Sequence, residues 1–155
     1  MNSYYEATTN PRRSFPCLES HESADICIIG AGYTGLSSAL HLAKRGYKVI
    51  VLEAETVAFG ASGRNGGHVG IGQRADQADL EDKLGHERAS VLWDMGLEAV
   101  DTVKTLIAEH TIDCDLKHGD MHLAHKRRLC GEFQEEVAFL ADRYNFTDME
   151  YIPSA

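Results

Sequence analysis

Gly30, Gly32 and Gly35 stand in G-x-G-x-x-G spacing, and an acid, Glu53, follows roughly 20 residues later. That set suits recognition of a dinucleotide through main-chain atoms. Gly30 permits a tight turn out of a strand, Gly32 lets the backbone approach a pyrophosphate, and Gly35 lets a helix lie close on a sheet. The N–H groups that open this helix, around Tyr33, Thr34 and Gly35, have no acceptor within it and form an anion site without a lysine. A carboxylate at Glu53 accepts hydrogen bonds from ribose hydroxyls. With Glu55 close by it repels a 2′-phosphate, so NADP is disfavoured.

A second cluster is more specific. Gly60-Ala61-Ser62-Gly63-Arg64-Asn65-Gly66-Gly67 places four glycines in eight positions. Such a run leaves many N–H groups to face a ligand, and Ser62 is a natural helix N-cap. Arg64 adds a fixed cation and Asn65 a donor–acceptor pair. A flavin suits this inventory, because its pyrophosphate needs N–H groups and positive charge while its flat ring needs unobstructed backbone.

The elements that must position these residues are legible around them. Asp25 to Ile29 reads as a short buried strand that encloses Cys27. The helix after it carries Leu36, Ala39, Leu40 and Ala43 at i, i+3, i+4 and i+7, one apolar face for the strands. Gly46 ends it at C′. Val49 to Leu52 is the second strand, with Glu53 and Ala54 at its end. Strand, helix, strand and acid in register predict an α/β chain with a Rossmann-like βαβ fold. From about Asp79 to His110 the pattern predicts a short helix, a break near Gly85 and a long helix. Its stripe is Leu92, Met95, Ala99, Val103 and Leu106, widened by Leu97, Val100 and Ile107, with Trp93 in the core. Residues 118 to 124 read as a strand. A helix over about Lys126 to Tyr144 carries Leu129, Phe133, Val137 and Leu140 inward and Glu132, Glu135 and Glu136 outward. Met149 to Ile152 begin a strand or turn.

The balance of 15 basic against 24 acidic residues gives −9, which argues against nucleic acid or anionic membrane as partner. No apolar run approaches the roughly 20 residues that span a bilayer. The first 22 residues are polar, lack a signal-peptide core and read as a mobile arm or a surface clasp, so the cytoplasm is the default compartment. Cys17, Cys27, Cys114 and Cys130 show no CxxC spacing, which argues against a disulfide framework or a zinc site. His118, His122 and His125 do not converge in a strand: alternation puts the first two on one face and the third on the other, and no metal is expected.

Three stretches carry a family resemblance: Gly30 to Ala43 (GAGYTGLSSALHLA), Val51 to Ala54 (VLEA) and Phe59 to Gly67 (FGASGRNGG). They resemble the N-terminal third of FAD-dependent amine oxidoreductases, the D-amino-acid oxidase-like family. Within it, Ser3-Tyr4-Tyr5, Ile112-Asp113-Cys114-Asp115 and the glycine loop are similar to the γ-glutamylputrescine oxidases. The resemblance is tight over residues 25 to 67 and scattered beyond. It implies FAD lying across the sheet: Gly30, Gly32, Tyr33, Thr34 and Gly35 at the pyrophosphate, Glu53 and Ala54 at the adenosine ribose. Gly60, Ala61 and Ser62 then lie at the phosphates or ribityl chain, and Arg64, Asn65, Gly66 and Gly67 pass near the isoalloxazine. His68 stands where the resemblance leads to an expectation of Gln, and no role is carried onto it.

The implied activity is oxidation of a C–N bond in a small-molecule amine, with hydride passing to the flavin. No general base or nucleophile is assigned. Residues 1–23 are read as an arm and 24–155 as the N-terminal part of an FAD-binding domain, incomplete without downstream strands. Two other readings stay open. A nicotinamide-dependent dehydrogenase uses the first motif and Glu53 but has no need of Gly60 to Gly67. A truncated, non-catalytic dinucleotide-binding fragment keeps the fold without the chemistry, and alone should fold poorly because its sheet edge is unpaired.

Overall fold

The computed structural model describes residues 4–11 and 13–153, so Ser3 lies outside the described residues. The chain divides into two compact units, Met1–His68 and Val69–Ala155.

The first unit is built on a βαβ motif: β1 (Ile26–Ile29), α2 (Tyr33–Lys44) and β2 (Val49–Leu52), preceded by a short helix α1 (Tyr4–Thr8). The two runs of four aliphatic or β-branched residues pair in parallel, Ile26 opposite Val49 through to Ile29 opposite Leu52. Asp25 closes the entrance to the pair: its N–H donates to Lys48 O at 2.9 Å, and its carboxylate accepts the Lys48 N–H at 2.8 Å. At the far end of α2 the Gly46 N–H bonds Ala43 O at 2.9 Å and the Tyr47 N–H bonds Leu42 O at 3.2 Å. This is a Schellman motif, and it needs the left-handed conformation that Gly46 adopts with φ +90°.

Among the described residues of this unit α2 covers one side of the sheet, and two expectations are corrected. Cys27 is exposed, not buried, and Ile29 on the same face is 89% exposed. Side chains alternate along a strand, so Ile26 and Ile28 turn to the half-buried face while Cys27 and Ile29 point the other way. A parallel strand reads as continuously apolar because both faces are normally covered; periodicity alone could not say which face stays open. On α2, Ala39 and Leu40 are half-buried as expected, but Leu36 and Ala43 are exposed and Gly35 and Leu42 take their place.

The second unit holds α3 (Gln77–Leu84), α4 (His86–Glu109) and α5 (Arg128–Tyr144). Gly85, with φ +79°, separates α3 from α4 at the expected break. The buried face of α4 is Ala89, Trp93, Gly96 and Val100, whereas Met95 is 56% exposed and Val103 37%. Trp93 and Val100 are buried as expected and Leu92, Leu97, Leu106 and Ile107 half-buried, yet the stripe turns away from Met95, Ala99 and Val103. Its centre is a glycine, invisible to hydrophobic periodicity: a Cβ on Gly96 would lie 2.9 Å from the Gly72 nitrogen. On α5, Leu140 is buried and Leu129, Phe133 and Val137 half-buried, while Glu132, Glu135 and Glu136 are exposed. Trp93 meets Phe146 edge-on at 5.2 Å and Tyr144 at 5.4 Å between ring centroids.

Residues 118 to 124 form no strand, and neither do Met149 to Ile152; the sheet among the described residues is β1 and β2 alone. Gly119 takes φ +91°, and Met121 and Leu123 are 70% and 77% exposed, so the alternation there finds no partner strand to bury it. His118, His122 and His125 lie exposed along this segment, with His122 Nε2 3.4 Å from Asp120 Oδ2. Among the described residues no helix is long and apolar enough to cross a membrane.

Candidate functional site

The N-terminus of α2 and the two glycine clusters form one continuous surface in the first unit. Gly30 leaves β1 with φ +100° and donates its N–H to Leu52 O at 2.7 Å. Gly35 lies so close to this turn that a Cβ there would stand 2.0 Å from Gly30 O. Helix, turn and strand therefore meet at a distance that only glycine allows.

Glu53 reaches back from the end of β2 to the same turn. Its Oε2 accepts the Ala31 N–H at 2.7 Å and its Oε1 the Glu55 N–H at 3.0 Å. The Ala31 N–H above all, and then that of Glu55, hold the Glu53 carboxyl below the ordinary carboxylate range. The side chain remains ionised at neutral pH, and each oxygen keeps a lone pair for a further donor. Ala54, next to it, is exposed.

The second cluster returns onto the first. The Ala58 N–H donates to Ala31 O at 2.9 Å, and Ala61–Gly63 then form a short 3₁₀ turn. Ser62 does not cap this turn as its sequence position suggests. Its Oγ accepts the Tyr33 N–H at 3.0 Å, capping α2 from across the loop. This corrects the expectation that the N–H groups at Tyr33, Thr34 and Gly35 all await a ligand: that of Tyr33 is taken. A Cβ on Gly32 would stand 2.9 Å from the same Oγ, so Gly32 makes room for the serine as well as for any ligand. The hydroxyl, having accepted one hydrogen bond, keeps its own proton to donate.

Asn65 is the brace of the loop. Its Nδ2 lies 2.9 Å from Ser62 O, 3.2 Å from Ala61 O and 3.4 Å from Tyr33 Oη, and its Oδ1 accepts the Gly67 N–H at 2.8 Å. Its polar atoms are spent on shaping the loop. Gly60, Ala61, Arg64, Gly66 and Gly67 are exposed along it. The Arg64 guanidinium sits 4.6 Å from the centre of the Phe59 ring, a cation–π contact that orients the charge. The sequence pattern held Phe59 only as a motif flank; its pairing with Arg64 carries no spacing signal of its own.

Ser62→Ala should lower stability by about 1 kcal/mol, the usual worth of an N-cap side chain. Urea denaturation of the protein followed by circular dichroism measures it. An unchanged midpoint would show that the cross-loop cap contributes nothing.

Residues 25–155 match the family described as FAD dependent oxidoreductase. The chain is 44% identical over 150 residues to the probable oxidoreductase OrdL of Haemophilus influenzae and 38% identical over 150 residues to that of Rhizobium meliloti, covering 97% of this chain and 35% of each relative. It is 38% identical over 135 residues to the gamma-glutamylputrescine oxidoreductase of Escherichia coli, covering 87% of this chain and 32% of that protein. The chain thus spans about a third of the length of the curated relatives it matches. No solved structure matches it. The family match runs from the residue before β1 through both glycine clusters and on across the helices of the second unit: the chain belongs to the FAD dependent oxidoreductase family.

Proposed function

We propose that these residues are the FAD-binding N-terminal portion of a flavoenzyme that oxidises the C–N bond of an amine or amino-acid-like substrate of the γ-glutamylputrescine type. Residues 1–23 serve as its arm and 24–155 as the first part of the FAD domain. One observation carries the reading: Ser62 Oγ joins the second glycine cluster to the first turn of α2 at 3.0 Å. A nicotinamide enzyme has no use for a second glycine loop held against the phosphate site, whereas an extended flavin dinucleotide needs both.

The residues present fit that group. Gly32 and Gly35 keep Cβ atoms away from the α2 terminus, where the Thr34 and Gly35 N–H groups have no acceptor within the helix and favour a pyrophosphate. The Glu53 carboxylate, ionised and with acceptor capacity left on each oxygen, suits ribose hydroxyls as donors. The exposed, glycine-rich Arg64–Gly67 stretch offers flat backbone to a flat ring. When bound, FAD would supply the acceptor for hydride from the carbon next to the amine nitrogen; the nitrogen releases a proton to solvent as the imine forms, and water hydrolyses the imine to a carbonyl compound and a free amine. The chain's own part is to hold and orient. Ser62 would donate a hydrogen bond from its hydroxyl to a phosphate or ribityl oxygen, and Arg64 would place positive charge near the ring, where negative charge develops on reduction.

The absorbance spectrum of the full-length protein, followed by a peroxide assay and an artificial electron-acceptor assay on a panel of amines, tests the proposal. Flavin bands and turnover of a γ-glutamylated or free diamine are expected. A colourless protein that binds NAD would overturn it. Within this reading, Arg64→Met should slow flavin reduction by about 10²-fold, the scale of one lost electrostatic stabiliser. Stopped-flow reduction at saturating amine measures it, and an unchanged rate at unchanged FAD content would remove Arg64 from that role.

A further inference from the structure

Helix α1 lies beside the glycine loop. Tyr5, in α1, lies against Gly67: a Cβ added to Gly67 would stand 3.6 Å from Tyr5 Oη, 3.7 Å from Cε1 and 3.9 Å from Cζ. Tyr4 meets Tyr5 edge-on, with centroids 5.5 Å apart and planes at 81°. Thr8 Oγ1 donates to Tyr4 O at 3.0 Å and closes the helix on itself. A helix of five residues is far too short to persist in water unaided, since the first turns are an unfavourable nucleus. Its place must come from contact with the rest of the unit, and the Tyr5 ring supplies such a contact.

Gly67 is a telling partner. It adopts φ +70° and lies in a loop whose glycines make ordering costly in entropy. Asn65 holds it from within, through the hydrogen bond to its N–H; Tyr5 lies against one side of it and leaves it exposed on the other. A loop ordered before its ligand arrives pays less on binding.

We propose that α1 is a strap over the cofactor loop and that Tyr5 is a positioning residue for FAD, holding the Gly66–Gly67 end of the loop in its binding shape. The inference rests on the FAD reading above. Beside Oη, two of the three Tyr5 atoms nearest Gly67 are the ring atoms Cε1 and Cζ, so Tyr5→Phe should keep most of the function and Tyr5→Ala should lose it.

The test uses the full-length protein stripped of flavin and titrated with FAD, following quenching of flavin fluorescence. Tyr5→Ala should raise the Kd for FAD about fivefold, the loss of one aromatic contact, while Tyr5→Phe stays within about twofold of wild type. A second readout follows the arm itself. Arg13 is exposed between α1 and β1, and FAD should slow trypsin cleavage after it in wild type and Tyr5→Phe but not in Tyr5→Ala. Equal Kd values for wild type and Tyr5→Ala, or cleavage at Arg13 indifferent to FAD in wild type, would overturn the strap while leaving the cofactor reading intact. A wild-type protein that takes up no FAD at all would overturn both.

Discussion

Gly35→Ala is expected to unseat α2 from the sheet and abolish flavin retention. The added methyl would stand 2.0 Å from Gly30 O, 3.1 Å from Gly30 C and 3.3 Å from Ile28 Cγ2. The first two are main-chain atoms of the turn that leaves β1, and the turn is itself tied to β2 through the Gly30 N–H on Leu52 O. Neither can swing aside as a flexible side chain would. The helix must lift, and lifting it moves the Tyr33 N–H away from Ser62 and the α2 terminus away from the loop. A loss of more than about 3 kcal/mol is expected, beyond ordinary overpacking because the clash is with backbone. Gly46→Ala is the informative companion. Nothing lies within 4 Å of a Cβ there, and only its φ of +90° is unfavourable, so the left-handed penalty of about 1–2 kcal/mol is all it should show. Urea midpoints of both variants, with the ratio of flavin to protein absorbance after purification, make the comparison. A Gly35→Ala protein with wild-type midpoint and flavin content would mean that helix and turn are not in contact as described.

The parts of the fold that were legible from sequence are those where one residue type has one mechanical use. The βαβ unit is of this kind: apolar runs at 26–29 and 49–52, three spaced glycines and Gly46 at the helix end each admit few alternatives. Glu53 is legible in place only: it stands at the end of the second strand as read, but spacing does not show that its carboxylate takes the Ala31 N–H of the first turn. The illegible parts share a physical cause. Side-chain periodicity does not register backbone contacts, so apolar spacing finds Trp93 and Val100 on α4 but misses the stripe's centre at Gly96 and includes the exposed Met95, Ala99 and Val103. Alternation reports a strand only when a neighbour exists to pair with it, and residues 118 to 124 have none among the described residues. Capping rules assign Ser62 to the helix next in sequence, yet its hydroxyl caps α2, 29 residues back. Tyr5 enters the sequence reading only through the resemblance carried by Ser3-Tyr4-Tyr5, since a ring beside a distant glycine leaves no spacing pattern in the chain.

The same blindness to long-range polar contacts hid the strongest electrostatic feature of the second unit. Glu81 on α3 accepts hydrogen bonds from Tyr144 Oη at 2.7 Å, from the Arg143 guanidinium and, through the same carboxylate, from His86 Nδ1 at 2.9 Å. One acid thus ties α3 to the start of α4 and the end of α5, beside the Trp93–Tyr144 contact. The His86 hydrogen bond first, then Tyr144 and Arg143, pull its carboxyl from the ordinary 4.5 down to about 2. The sign follows directly. A carboxyl that titrates lower in the folded state than in the unfolded chain stabilises the fold wherever both are ionised, above about pH 4.5. That contribution declines as pH falls, because the unfolded chain takes up the proton first, and it is gone below about pH 2. Glu81→Gln keeps one acceptor oxygen but turns an amide N–H₂ toward donors, leaving Arg143 or Tyr144 without its partner. The variant should denature at markedly lower urea than wild type at pH 7. The difference between the two proteins should shrink from pH 4.5 to pH 2 with the slope of about one proton. Urea midpoints measured across that range decide it, and a difference that stays constant with pH would show that the Glu81 charge is not what binds these three helices.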